Sequence, residues 1–490
     1  MKEKKIKLTP SQTRVMAQIL DFIDGKDRVF ILKGYAGTGK TTLLRFLLTE
    51  LRKRNHNYRL LAPTGRAAKV MANLSSTEQQ AAPAQTIHSM LYTFHGLNEE
   101  VDITRDYTHN DGSELYLNFE PARIKFDDIY APPETIYIID EASMVADMPP
   151  HVIVQAKFGS GKLLTELLNF DTRERSKFIF IGDPCQLPPI EQYFSPALMP
   201  TYFEQHFSLH AQEAMLTEIM RQNDDSTLIT ASKQIRALHD AAPTPSHYGP
   251  HDKMWSKLPL RGNRDIVFLD SLDELINLYV SQVKSNGVDS ALFISRENKR
   301  CLSISNQIRT LLGHGHRLQK GDLLMVNQNC AIVPLVNGDM VTVEQVSDTV
   351  EICAGFTFRM VTVRERFSKK IYETWLLEDI LYQAAPNLDK EQNKLLLIDY
   401  AKRMAKIGLR QSMHAFYEQM RSDPFLNALR CSFGYCVTFH KAQGGEWDKV
   451  FVDMPRNITL NPTPEKYQWV YTAMTRATQT LYLVNDFFYR

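Results

Sequence analysis

At 490 residues the chain is too long for one hydrophobic core, so at least two domains are expected. Its 57 Lys and Arg against 56 Asp and Glu leave a net charge of +1, which excludes a globally basic nucleic-acid coat and confines any polyanion site to a local patch. Six cysteines without a CxxC pair argue against a zinc or disulfide framework. With no apolar run near the roughly 18 residues of a membrane span and no apolar stretch behind the charged Met1-Lys2-Glu3-Lys4-Lys5, the expected setting is soluble, cytoplasmic and away from membranes.

Val29-Phe30-Ile31-Leu32 predicts a buried strand, and Gly34-Tyr35-Ala36-Gly37-Thr38-Gly39-Lys40-Thr41-Thr42 behind it has the GxxxxGKT spacing of a phosphate-binding loop. Leu43-Leu44-Arg45-Phe46-Leu47-Leu48 continues as a helix beginning near Lys40. Gly34, Gly37 and Gly39 let backbone N–H groups curl around phosphate oxygens, and the positive end of the helix points at the same anion. Lys40 is expected to reach the β- and γ-phosphates of ATP and the Thr41 hydroxyl to ligate Mg²⁺, with Thr38 and Thr42 beside them in the nucleotide cradle.

Tyr58–Ala62, Ile136–Ile139 and Phe178–Ile181 read as further buried strands of an α/β, doubly wound parallel sheet, whose sites lie at the carboxyl ends of strands. There they deliver Pro63-Thr64-Gly65, Asp140-Glu141 and Gly182-Asp183. Asp140 suits holding Mg²⁺ through its water shell, and Glu141 suits accepting a proton from the attacking water. Gln186, in Pro184-Cys185-Gln186-Leu187-Pro188-Pro189, can donate to the γ-phosphate and accept from that water. Between Thr93 and Pro133 the rhythm breaks. Asn110-Asp111-Gly112 is a turn signal and Leu115–Phe119 alternates at period two, so a small hairpin insertion is expected at about 93–133. Phe158-Gly159-Ser160-Gly161-Lys162 mimics a second phosphate loop but has Ala156 where the first glycine belongs, and reads as a decoy.

His239–Pro250 is dense in Pro, Gly, His and Ser, and a linker is expected at 239–262 between domains at 1–238 and 263–490. In the second domain Ile266–Leu269, Ala291–Ile294, Val450–Val452 and Leu481–Val484 predict strands, and Arg300–Leu312 a helix. An insertion at about 316–427 is expected to hold a small β-barrel, with a turn at Val336-Asn337-Gly338-Asp339, and a charged helical projection from Leu388 to about Leu426.

Gln12, GYAGTGKTT, LAPTGRAA, TIHS, DEAS, GDPCQLPP, LTEIMRQ, TFHKAQGGEWD and YTAMTRA occur in the order of the superfamily 1 helicase motifs, and from about Leu8 to Val484 the chain resembles the RecD- and Dda-like branch of that family. The resemblance implies two RecA-like P-loop NTPase domains with parallel sheets, a nucleotide in the cleft between them and single-stranded DNA across their top. It implies an ATP-dependent 5′→3′ translocase and helicase acting on single strands and ss/ds DNA junctions in repair or recombination, with a single-strand-binding or recombination protein as a further partner. Gln12 would read adenine, although Thr9-Pro10-Ser11 equally suits a helix start. Arg221 and Arg476 would reach the γ-phosphate with permanently charged planar forks, and Glu446 would contact the ribose. DNA would lie on Pro63, Thr64, Arg66 and His88 from the first half and on Thr438, His440 and Lys441 from the second, groups that hold phosphates without reading sequence. Taken alone, His88 and His440 read as core or cap histidines. The hairpin insertion corresponds to the strand-separating pin of this branch, with Phe94, Tyr107, Tyr116 and Phe119 as candidate wedges. Met220 stands where many members carry an adenine-stacking aromatic.

Other readings stay open on the residues alone. Nothing in the chain reads a 2′-OH, so an RNA-directed helicase of the same superfamily fits the motifs. An ATP-gated DNA-binding subunit that does not translocate would not need Glu141, Gln186 and both arginines. A P-loop small-molecule kinase would leave Val437–Asp448 and Tyr471–Ala477 unexplained.

Overall fold

A computed structural model describes residues 7–75, 84–104, 114–124, 134–219, 226–243, 245–249 and 251–490. The first half contributes strands β1 (Val29–Gly34), β2 (Asn57–Ala62), β3 (Gln85–Thr86), β4 (Tyr92–Leu97), β5 (Leu117–Pro121), β6 (Thr135–Ile139), β7 (Ala156–Phe158), β8 (Lys177–Gly182) and β9 (Ala211–Leu216). The second contributes β10 (Ile266–Leu269), β11 (Ala291–Ser295), β12 (Leu323–Val326), β13 (Met340–Cys353), β14 (Phe356–Glu365), β15 (Ile371–Leu377), β16 (Cys431–Phe433), β17 (Cys436–Thr438), β18 (Trp447–Val452) and β19 (Ala477–Val484).

Six of these form a parallel sheet in the order β3-β2-β6-β8-β1-β9. All of β6 and β8 is buried because helices cover both faces, and that is why these strands read as unbroken apolar runs. The pleat sorts neighbouring side chains. Phe30 and Leu32 enter one core with the helices Pro10–Asp24 and Lys40–Lys53, whereas Val29 and Ile31 enter the opposite core with Leu163–Leu168 and Phe203. Each such side chain contributes about 1.5–3 kcal/mol on burial, so the carboxyl ends that carry the site rest on a stiff, two-sided core.

A second parallel sheet, β10-β19-β18-β11-β17, anchors the other half. An antiparallel sheet in the order β15-β14-β13-β12-β16 takes the place of the expected barrel, and its strand β16 lies beyond 427. The helix Thr227–Asp240, which the sequence division assigns to the first domain, sends Leu228, Ala231 and Ile235 into the core of the second half and packs on the helix Pro464–Arg476.

The expected hairpin is the antiparallel pair β4/β5, and β7 adds to it in parallel as a third strand. Its Asn110-Asp111-Gly112 turn and Tyr107 lie outside the described residues. The hairpin docks on the second half. Val101 and Leu115 share a core with the helices Lys390–Lys406 and His414–Ser422. Gln411 reinforces it by donating to Glu99 O at 2.8 Å and accepting from Val101 N at 2.9 Å.

Candidate active site and nucleic-acid track

The loop after β1 closes tightly. A Cβ on Gly34 would lie 2.9 Å from Thr38 Oγ1 and 3.0 Å from Lys40 Cγ, and Gly37 and Gly39 take φ of 78° and 81°, so these positions favour glycine. Thr38 Oγ1 donates to Tyr35 O at 2.8 Å. Lys40 Nζ donates to Gly34 O at 2.7 Å and Tyr35 O at 3.1 Å, which keeps the ammonium at the loop. Thr41 is exposed in the first helical turn and Thr42 half-buried. Gln12 serves both roles its setting allowed. Its Oε1 accepts from Thr9 N at 3.1 Å, completing a capping box, while its Nε2 donates to Thr38 O at 3.2 Å and latches the phosphate loop.

Asp140 and Glu141 follow β6. Asp140 Oδ1 accepts from Glu141 N at 2.9 Å. Glu141 sits at φ 52° and ψ 38°, a left-handed conformation that costs a non-glycine residue on the order of 1–3 kcal/mol and is characteristic of functional sites. Burial raises both carboxyls. For Glu141, burial first and the charge of Asp140 second push it up to about 7, while Arg476 and Lys40 pull the other way. Glu141 therefore feels a cation from each half of the molecule. Arg476 is buried, with its guanidinium donating to Gly445 O at 2.9 Å, Thr472 O at 3.2 Å and Thr475 Oγ1 at 3.1 Å. Gln186 is buried too, and its Oε1 has no hydrogen-bond partner among the described residues. Glu446 is exposed beside Gly445. Arg221 and Met220 lie outside the described residues.

A seam between the halves escaped the motif reading. The Tyr471 hydroxyl donates to Asp183 Oδ2 at 2.9 Å and accepts from the phosphate-loop Ala36 N–H at 3.1 Å. On the same helix Thr472 Oγ1 accepts from Leu187 N at 3.3 Å and Gln468 Nε2 donates to Pro184 O at 3.2 Å. Gln443 Nε2 donates to Leu187 O at 3.2 Å. The signal was present: 468, 471, 472 and 475 recur at helical spacing as one polar face on a helix that is buried from Tyr467 to Arg476.

Pro63, Thr64, His88 and His440 line one cavity of about 470 Å³, so residues from both halves meet there. Both imidazoles are part of aromatic packing, His88 at 5.2 Å from Phe158 and His440 at 4.9 Å from Trp469, each edge-to-face. Burial lowers His88 and brings His440 down to about 4, so the two rings are neutral at pH 7 and can meet an anion only as hydrogen-bond donors.

Three of the expected DNA contacts are placed elsewhere. Arg66 is only 6% exposed, lodged between Trp447 at 5.1 Å and Phe367 at 5.6 Å, with Nε and Nη1 lacking partners among the described residues. Thr438 and Lys441 line a separate recess with Cys301 and Cys436. There Lys441 donates to Asn327 Oδ1, and burial lowers it to about 8. The wedge candidates Phe94 and Phe119 face each other at 5.2 Å; Phe119 stacks on Phe158 at 4.7 Å, and Phe94 meets Tyr417 of the second half at 5.8 Å. Those rings hold the small sheet together rather than projecting from it; Tyr116 is half-buried. The decoy loop is occupied by its own acid, since Ser160 N donates to Glu166 Oε1 at 2.6 Å.

Among the described residues no helix is long and apolar enough to cross a membrane. Residues 7–247 match the family model of an AAA domain, and residues 433–484 match that of the UvrD-like helicase C-terminal domain. The chain is similar to an uncharacterized protein of Acanthamoeba polyphaga mimivirus, 21% identical over 526 residues that span 95% of this chain and 97% of that one. It is also similar to an uncharacterized protein of Methanocaldococcus jannaschii, 22% identical over 502 residues; these span 96% of this chain but 37% of that relative's length. Among solved structures, a Bacteroides Pif1 helicase with ADP-AlF3 and single-stranded DNA is similar at 16% identity and TM-score 0.47, over 99% of this chain and 93% of that one. A Candida albicans Pif1 helicase is similar at 17% identity and TM-score 0.43, over 98% and 95%.

Proposed function

We propose that the chain, whose residues 7–247 and 433–484 match the models of an AAA domain and of the UvrD-like helicase C-terminal domain, is a superfamily 1 helicase that hydrolyses ATP in the cleft between its halves to move 5′→3′ along single-stranded DNA and part the duplex ahead. The observation that carries the reading is the position of Glu141, a strained acid under the influence of Lys40 from one half and Arg476 from the other. Such a carboxyl, raised toward neutrality, is suited to take a proton from the attacking water, while Gln186 offers a free amide oxygen to orient it. Lys40 and Arg476 would spread their charge over the γ-phosphate as the bond breaks. Arg221 would join them and Glu446 would contact the ribose, each by the family motif it occupies.

Asp140 and the Thr41 hydroxyl are hard oxygen donors that fit Mg²⁺, which when bound would neutralise the β- and γ-phosphate oxygens. Tyr471, Thr472 and Gln468 tie the phosphate loop and the Asp183 loop to the helix bearing Arg476, so a change at the γ-phosphate is transmitted to both walls of the track. Each base-pair step costs about 1.4 kcal/mol of stacking, so the demand on the motor is to rectify motion rather than to supply force.

The test is strand displacement on duplexes with a 5′ or a 3′ single-stranded tail, using intact protein, Lys40→Ala and Glu141→Gln. The proposal expects displacement on the 5′ tail alone, abolished in both variants. Equal activity on either tail refutes the direction, and displacement by the Lys40 variant refutes the role of the loop. Stronger ATPase stimulation by RNA than by DNA of matched sequence would instead favour the RNA-directed reading.

A further inference from the structure

One cluster of side chains able to ligate a metal is used by neither the nucleotide chemistry nor the track. Cys185 follows Asp183 in the loop after β8, and His239 and Asp240 end the helix Thr227–Asp240. The Cys185 Sγ lies 3.7 Å from His239 Nδ1, and that same nitrogen lies 2.9 Å from Asp240 Oδ1. All three donor atoms fall within 4.8 Å of one another. Hydrogen bonds alone serve this group poorly. A protonated Nδ1 donates to Asp240 and offers no lone pair to the thiol, whereas a bare Nδ1 accepts from the thiol and turns its lone pair on the carboxylate. A cation at the centre attracts all three.

The donors select the ion. A thiolate is soft and an imidazole borderline, a pair that suits Zn²⁺ and disfavours Mg²⁺. Zn–S and Zn–N bonds of about 2.3 and 2.0–2.1 Å at a tetrahedral angle put sulfur and nitrogen about 3.5 Å apart, close to the 3.7 Å found here. Binding exchanges the thiol proton for the ion, and the proton leaves to solvent. The thiolate and the Asp240 carboxylate then balance the two charges of the ion, while Asp183 and Arg236, the other charges acting on the sulfur, oppose each other. Cys185 is 2% exposed but the Asp240 side chain 63%, so the ion enters from the Asp240 side and water completes the fourth position. We propose that Cys185, His239 and Asp240 form a Zn²⁺ site that clasps the loop carrying Gln186 to the helix Thr227–Asp240. No local spacing announces it, because Cys185 and His239 are 54 residues apart. The helix is rooted in the core of the second half, and its Arg236 guanidinium already lies 3.7 Å over the Tyr35 ring of the phosphate loop. The ion would tie a second loop of the cleft to that same helix end.

The experiment is titration of the chelator-stripped full chain with Co²⁺ and then with Zn²⁺. Cobalt should give a thiolate-to-metal charge-transfer band that saturates at one ion per chain, and zinc should bleach it. Cys185→Ser should abolish the band while leaving the other cysteines in place. His239→Gln and Asp240→Asn, the latter at an exposed position where folding is not at stake, should each weaken cobalt binding by at least about 10-fold, the lower end of what even an outer-shell partner costs. Zinc should raise the melting temperature of the parent and slow amide exchange in the peptide spanning 182–187, and neither effect should appear in Cys185→Ser. Absence of the band, its survival in Cys185→Ser, or unchanged affinity in both other variants overturns the site. Binding that leaves exchange at 182–187 unslowed overturns the clasp. None of these readouts uses ATP or DNA, so the outcome stands apart from the helicase reading.

Discussion

Tyr471→Phe isolates the coupling between the halves with a single oxygen. The ring is 2% exposed and keeps its packing as phenylalanine, so no cavity opens. What goes is the bond to Asp183, a buried acid, and the bond from the Ala36 N–H. A hydrogen bond to a charged group is worth about 1.5–3 kcal/mol and one from a backbone amide about 0.5–1.5 kcal/mol, so the loss is about 2–4.5 kcal/mol. At 1.4 kcal/mol per tenfold, the joined arrangement should become roughly 30- to 1,600-fold less favoured against its opened form. The assay is amide hydrogen exchange of the phosphate-loop peptide, followed by mass spectrometry alongside DNA-stimulated ATPase. Exchange at the loop should accelerate at least about tenfold, and kcat should fall because Arg476 is less often in place. If exchange and kcat both match the parent, the seam carries no coupling and the argument from geometry is wrong.

Glu141→Gln should lower kcat by about 10²–10⁴-fold with little change in KM for ATP, since it removes a base that acts in the transition state. It should also change stability with pH. The folded-state carboxyl lies near 7 against an ordinary 4.5, so the folded chain keeps a proton that the unfolded chain releases, and this group's contribution falls as pH rises between those values. Urea melts should therefore find the variant more stable than the parent by about 1–3 kcal/mol at pH 8 and equal to it at pH 4. Lys40→Ala should reduce ATPase by about 10²–10³-fold while leaving single-strand binding intact, as measured by anisotropy. Arg66→Met replaces a buried guanidinium having two unpartnered nitrogens with an apolar side chain of similar length. Stability should hold or rise, and the salt dependence of DNA binding should keep its slope; a slope reduced by about one would place Arg66 on a phosphate after all.

Much of the site was legible because its chemistry is local. A phosphate loop needs glycine, lysine and a hydroxyl in one short span between a strand and a helix, and those constraints are visible in Gly34–Thr42 without knowing what packs nearby. The buried strands were legible for a related reason: sheets covered on both faces demand apolar runs. Strand β9 escaped because it is an edge. Ala211–Leu216 is buried only at 211, 214 and 216 and carries Gln212 and Glu213 between them, so it lacks the apolar run of its partner β1.

What the sequence could not place is the destination of long side chains. Arg66 and Lys441 each sit in a motif expected to face DNA, yet a residue's motif fixes only where its Cα lies. Arg66 has a ring on either side, Trp447 from β18 and Phe367 from the turn between β14 and β15, and these come together only when the halves meet. The hairpin makes the same point with the opposite sign. Its alternation predicted a hairpin and the family resemblance offered its aromatics as wedges, but Phe94 and Phe119 are claimed by Tyr417 and Phe158, from segments about 320 and 40 residues away. An element held from both halves moves only if both move. If it separates strands, the packed rings act as its stiffener, since Phe94 is held from the second half and Phe119 from the first.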